Sequence, residues 1–124
     1  MIKNPEKTLN LSDIIIHGMK EKKASDITII NLKSIKNAVA DYFIICTGNS
    51  DTQVDAISDS VETEVYKHSE QNPWRKEGHQ NKEWILIDYI DIVVHGFKKD
   101  IRKHFALEEL WGDAKITNVV YENV

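Results

Sequence analysis

The chain has 124 residues, of which 41% are hydrophobic and 29% charged, enough to build one domain with an apolar core and no need of disulfides or a structural metal. The single cysteine, Cys46, excludes a disulfide scaffold, and the net charge of −4 argues against a protein that grips nucleic acid by neutralising phosphates. No segment has the layout of a signal peptide or approaches the ~20 apolar residues that span a bilayer, so a soluble, cytoplasmic protein is expected.

In chain order, residues 1–10 lack periodicity and include Pro5, which reads as a loose lead-in. Ser12 or Asp13 can cap a helix running to about Lys22, with Ile15, Ile16 and Met19 on its buried side. The β-branched run Ile27–Asn31 predicts a first strand. Asp41–Thr47 predicts a second, apolar on both faces and therefore central and covered on both sides. Gly48-Asn49-Ser50 then breaks the strand and opens the clearest helix of the chain. Ser50 with Gln53 fits a capping box, and Val54, Ile57, Val61 and Val65 draw one apolar stripe to about His68.

The stretch from Asn72 to Asn81 is polar, with a short edge strand at Trp74-Arg75-Lys76. Trp84–Asp88 and Ile92–Phe97 predict an antiparallel hairpin through the short link Tyr89-Ile90-Asp91. A charged helix over about Lys99–Phe105, a turn from Leu107 to Trp111 ending at Gly112, and a last strand Ile116–Tyr121 complete the chain. The alternation of both element types predicts a single α/β domain over residues 11–115, with a mixed sheet of about five strands and helices on its faces, followed by a tail over 116–124.

Chemistry has few parts to work with. Asp88 and Asp91 flank the hairpin link and could hold Mg²⁺, while Gly48-Asn49-Ser50 between a strand and a helix could cradle a phosphate. Turn formation and helix capping are the simpler readings of both. His17, His68, His79, His95 and His104 have no metal-site spacing, and Cys46 within Tyr42–Cys46 reads as a small buried hydrophobe. No Walker loop or nucleophile elbow is present. No metal, cofactor or catalytic set is expected. The basic clusters Lys20–Lys23 and Lys98–Lys103 read as solvated helix faces.

Aromatic residues crowd the last third of the chain. Alternation along Trp84–Asp88 puts Trp84, Leu86 and Asp88 on one face, and Ile85 and Ile87 on the other. If the isoleucines fill the core, Trp84 and Leu86 need a second cover, either the protein's own layer or a partner. From the residues alone, the protein's own packing comes slightly ahead.

Several strings, in order, resemble one family. Asp41-Tyr42-Phe43-Ile44-Ile45-Cys46-Thr47-Gly48-Asn49-Ser50 with Gln53-Val54 and Ala56-Ile57, then Trp84-Ile85-Leu86-Ile87-Asp88-Tyr89, Asp91-Ile92-Val93-Val94-His95, and finally Leu110-Trp111-Gly112-Asp113-Ala114, are similar to the signatures of the iojap-like ribosomal silencing factors. The resemblance covers about residues 12–114. It implies a sheet related to the nucleotidyltransferase fold but lacking its catalytic carboxylates. It also implies binding to the large ribosomal subunit through universal large-subunit ribosomal protein fourteen, blocking of subunit joining, little direct nucleic acid contact and a tendency to homodimerise.

Carried over by position, the partner-binding set is Trp84, Leu86, Asp88, Tyr89 and His95, with Leu110 and Trp111 beside them. Trp84 is expected as an apolar anchor, Asp88 as a carboxylate meeting basic groups, and His95 as a residue that fixes the sheet edge or donates a hydrogen bond. The family usually has glycine where this chain has Ile90, so a β-branched residue there predicts a different turn. Two other readings stand beside a ribosome-docking factor: a nucleotide-binding or nucleotidyltransferase-type enzyme, and a dimerisation module.

Overall fold

The computed structural model describes residues 6–78, 83–105 and 114–119. The elements run α1 (Glu6–Glu21), β1 (Ser25–Asn31), β2 (Tyr42–Gly48), α2 (Asp51–Ser69), β3 (Arg75–Glu77), β4 (Trp84–Asp88), β5 (Ile92–Lys98), α3 (Lys99–Phe105) and β6 (Lys115–Asn118). They build one six-stranded sheet in the order β3-β4-β5-β2-β1-β6, one strand more than the sequence suggests. β2 and β5 pair in parallel, whereas every other neighbouring pair is antiparallel. The mixed α/β domain is thus as the sequence predicts.

Both faces of the sheet are covered at its centre. Tyr42, Ile44 and Cys46 of β2 point into a core shared with Leu11, Ile15 and Met19 of α1 and with Val54, Ile57, Val61 and Val65 of α2. Phe43 and Ile45 point the other way, into a second core with Ile30, Leu32, Val93 and Phe97. β2 is buried at all seven positions, so its continuous apolar run is the signature of a strand sandwiched on both sides. Burial pushes the Cys46 thiol up to about 12, which keeps it protonated and inert.

Two boundaries differ from the sequence reading. Helix α1 begins at Glu6, inside the stretch read as a lead-in. Ser12 does not cap it but lies buried on its inner side next to Leu11. Leu11, Ile15 and Met19 recur every four residues, so the apolar stripe begins before Ser12. At the other end, Lys115–Asn118 pairs antiparallel with β1 and carries the sheet into the segment read as a tail. The expected turn over Leu107–Trp111, and the end of the last strand beyond Val119, lie outside the described residues.

The cap of α2 forms with one change of partner. The Gln53 amide donates to Ser50 Oγ at 3.1 Å, whereas the Gln53 side-chain oxygen accepts from the Asn49 amide at 2.6 Å rather than from Ser50. The Gln53 side-chain nitrogen donates to the Lys22 and Lys23 carbonyls at 3.0 and 3.1 Å, tying the start of α2 to the end of α1. The two helices also touch where α1 has Gly18. Ser60 Oγ donates to the Gly18 carbonyl at 2.7 Å, and a Cβ on Gly18 would lie 2.9 Å from Val61 Cα.

The link between β4 and β5 departs from expectation in an instructive way. Ile90 sits at φ +76°, the left-handed region that glycine enters freely and a β-branched residue resists. The Asp91 amide donates to the Tyr89 carbonyl at 2.9 Å, closing a three-residue γ-turn of the rare, strained hand. Ile90 thus takes a positive φ that its β-branched side chain disfavours, while Asp88 Oδ1 accepts from the Ile90 amide at 2.7 Å and the Tyr89 amide donates to the Ile92 carbonyl at 2.9 Å. These bonds hold a conformation that costs about 1–2 kcal/mol in an L-residue.

The contact at Gly18 is backbone against backbone, so no side chain can swing aside. Gly18→Ala should lower stability by about 1–3 kcal/mol through overpacking, despite alanine's helix preference of about 1 kcal/mol. Urea unfolding measures this, and a variant as stable as wild type would mean that the helices do not approach so closely.

Candidate docking face

The sheet face opposite α1 and α2 carries the sequence-predicted residues of β4 and β5. Cross-strand register sets Trp84 beside Phe97, Leu86 beside His95, and Asp88 beside Val93. In the next strand, Phe97 faces Thr47, His95 faces Ile45 and Val93 faces Phe43. Alternation therefore turns Trp84, Leu86 and Asp88 away from Ile85 and Ile87, which are buried in the helix-covered core. Trp84 and Leu86 are half-buried and pack on the rim of the second core.

Trp84 is held rigidly. Its ring stacks on Phe97 at 5.7 Å between centroids and 9° between planes, and on His95 at 5.9 Å and 15°. His95 in turn meets Phe43 edge-on at 4.7 Å. The indole Nε1–H donates to His95 Nδ1 at 3.1 Å, fixing both the rotation of the indole and the tautomer of the imidazole. Nε2 then carries the remaining proton and has no acceptor among the described residues. His95 is only 4% exposed. It therefore orients Trp84 from below, as a hydrogen-bond acceptor, rather than reaching outward itself.

The other predicted residues fall in different places. Asp88 lies on the same face, half-buried, with Oδ2 accepting from Arg75 Nε at 3.3 Å and Oδ1 engaged by the Ile90 amide. Its carboxylate thus already has partners within the chain. Tyr89 is not brought together with Trp84: it is buried in the core on the α1 and α2 side. Burial, reinforced by the Glu62 carboxylate, raises its phenol above the usual range. Leu110 and Trp111 lie outside the described residues.

Sequence reasoning missed the clamp that secures α3 on this face. The Arg102 guanidinium donates to Thr47 Oγ1 and Thr28 Oγ1, each at 2.9 Å, and to the Asp26 carbonyl. Asp26 sits at φ +50° where the pairing of β1 with β2 slips between Ser25 and Thr28. A bulge has no signature in Ser25-Asp26-Ile27-Thr28, so the acceptor site was not legible. Also missed was the exposure of several large apolar side chains, among them Val39, Trp74 and Ile90.

The parts that suggested nucleotide chemistry have structural employment. The Asn49 and Gln53 amides, which a phosphate at the start of α2 would use, bond to Gln53 Oε1 and Ser50 Oγ. Lys98 Nζ pairs with Asp51 at 3.1 Å across the same helix end. Among the described residues no group of three metal-ligating side chains converges, and no helix is long and apolar enough to cross a membrane.

Burial among the rings draws the His95 pKa down from 6.5 to about 4, with the Asp88 carboxylate opposing the shift. Between those values the unfolded chain binds a proton that the folded chain refuses. The stability contribution of the neutral imidazole is therefore complete above about pH 6.5 and is lost as the pH falls toward 4, by roughly 3 kcal/mol in the limit. His95→Gln, which does not titrate, should lose less stability than wild type between about pH 7 and pH 5 in urea unfolding. Equal losses would show that His95 is not held neutral.

Residues 5–123 match the family model described as ribosomal silencing factor during starvation. The ribosomal silencing factor of Bacillus subtilis is 41% identical over 99 residues, covering 80% of this chain and 82% of that one. A crystal structure of a protein from Bacillus halodurans superposes with a TM-score of 0.75 at 34% identity, over 91% of this chain and 99% of that one. A more distant relative, the mitochondrial assembly of ribosomal large subunit protein 1 of Mus musculus, is 28% identical over 102 residues, 80% of this chain and 44% of that protein. Matched by the family model over residues 5–123 and by relatives of its own length, the chain belongs to the ribosomal silencing factors.

Proposed function

We propose that the protein docks on the large ribosomal subunit through the face carrying Trp84 and Leu86, and keeps the small subunit from joining. The partner in this reading is universal large-subunit ribosomal protein fourteen, and the action is occupancy of a surface, with no chemical step. Family membership supports a ribosome-associated role in holding translation down. The observation that carries the docking site is the fixed indole of Trp84, half-buried on a row of stacked rings. Tryptophan is over-represented among side chains that dominate protein–protein binding, and a pre-oriented ring loses little freedom on association.

The geometry supports a division of roles within the set. Trp84 and Leu86 supply apolar contact, and His95 sets the angle of Trp84 without touching the partner. Asp88, paired with Arg75, presents the edge of an ion pair to basic groups, and the family resemblance adds Leu110 and Trp111, which lie outside the described residues. Tyr89 supports the site from the opposite core. The net charge of −4 speeds encounter with a basic ribosomal protein more than it tightens the final complex. A standard interface buries about 800 Å² on each partner, which a domain of this size can provide from one sheet face. Homodimerisation, as the family resemblance implies, would compete for the same apolar surface.

Cosedimentation with purified large subunits tests the reading. Wild type should pellet with them, and Trp84→Ala should bind at least about tenfold more weakly, as expected of a central aromatic anchor. Equal pelleting of the two would remove Trp84 from the interface, and a wild type that stays in the supernatant would sink the proposal.

A further inference from the structure

Strand β3 carries the Trp84 face one row beyond β4. Cross-strand register sets Glu77 beside Leu86 and Arg75 beside Asp88, and alternation turns both side chains to the side of Trp84. The apolar pair Trp84 and Leu86 thus has a charged border. Within it the Arg75 guanidinium is divided among three partners. Its Nε donates to Asp88 Oδ2 at 3.3 Å, Nη1 pairs with Glu77, and the group lies 5.7 Å from the centroid of the Trp74 ring.

These contacts are not equally firm. The bond to Asp88 is single and long, without the parallel second bond of a forked arginine–carboxylate pair. The Arg75 side chain is 49% exposed, so water screens the pair. Asp88 is only 13% exposed, and its Oδ1 is engaged by the Ile90 amide. Oδ2 is therefore the oxygen left for a group arriving from outside, and Arg75 stands on it. Released from Asp88, Arg75 still has Glu77 and the Trp74 ring to hold it.

We propose that Arg75 is a specificity-determining residue of the docking face. It occupies Asp88 in the free protein and yields that carboxylate, turning back onto Glu77 and Trp74, to a cationic side chain of the ribosomal partner. A neutral side chain cannot make the exchange, because it would leave Asp88 covered and without a counter-charge. The inference rests on the ribosome-docking reading and adds to it a residue that opposes binding while selecting for a cation.

Titrated cosedimentation with purified large subunits tests it. An exposed ion pair shifts an equilibrium by up to about fivefold, so Arg75→Gln, which frees Oδ2, should bind about two- to fivefold more tightly than wild type. Asp88→Asn keeps an oxygen for the Ile90 amide but loses the charge, and should bind more weakly. Adding Arg75→Gln to it should then bring no gain. Lys76→Gln is the control for net charge. It removes one positive charge from the next residue, whose amine pairs at 3.2 Å with Glu62 of α2 on the opposite side of the sheet, and should leave binding within about twofold of wild type.

Unchanged or weaker binding by Arg75→Gln overturns the inference and leaves the ribosome reading standing. The same holds if Asp88→Asn binds as wild type does, or if the gain from Arg75→Gln persists in the Asp88→Asn background. An equal gain from Lys76→Gln also overturns it, since overall charge would then be the cause. Wild type that fails to bind large subunits removes the ribosome reading, and this inference with it.

Discussion

The parallel pairing of β2 with β5 is the constraint on which the rest of the molecule depends. These two strands are the inner pair of the sheet, and residues Tyr42–Gly48 are buried throughout. Because successive residues point to opposite faces, the same strand feeds both cores: Ile44 and Cys46 under the helices, Phe43 and Ile45 under the second face. A slip of one residue would exchange the two sets. It would place Phe43 under α1 and α2 and withdraw it from His95, and the aromatic row would lose its base.

That arrangement makes the second face rigid around Trp84, as the proposed docking surface requires. Trp84 lies toward an edge, where a side chain would ordinarily be free to turn. Here three supports converge on it: Phe97 by stacking, His95 by stacking and a hydrogen bond, and Phe43 by holding His95 edge-on. The buried imidazole is tolerated because it stays neutral, and because one nitrogen is satisfied by the indole. Arg102 fixes α3 against the far side of the same face through the threonines of β1 and β2. The acidic character of the chain is spread over this framework rather than gathered into a reaction centre. Asp88 is bound into the turn and Asp51 is paired with Lys98.

Much of the fold was legible because its signals are local. The stripe Val54, Ile57, Val61 and Val65, the cap at Ser50 and the fully apolar run of β2 each need only a few neighbours to be read. The start of α1 was misplaced because Ser12 looks like a cap, while Leu11 one residue earlier already belongs to the buried stripe. β6 was recognised as a strand but not as part of the domain, since its partner β1 lies some 85 residues away in sequence. The proposed docking face was half legible. Period-two alternation placed Trp84, Leu86 and Asp88 together and apart from Ile85 and Ile87. It could not show that His95 lies beneath Trp84, which depends on cross-strand register, nor that Tyr89 turns into the opposite core just beyond the end of β4. Ile90 is the reverse case. Its residue type argued for a remodelled turn, yet the hydrogen bonds of Asp88, Tyr89 and Asp91 hold the left-handed conformation against that preference.

The central proposal is that this protein occupies a surface the small subunit needs. The most direct measurement is light scattering on mixing purified small and large subunits, with the large subunits first saturated by the protein. The account predicts a reduced extent of joining that recovers as small subunits are added in excess, because the two compete for one site. Joining that proceeds unchanged at saturating protein would contradict it.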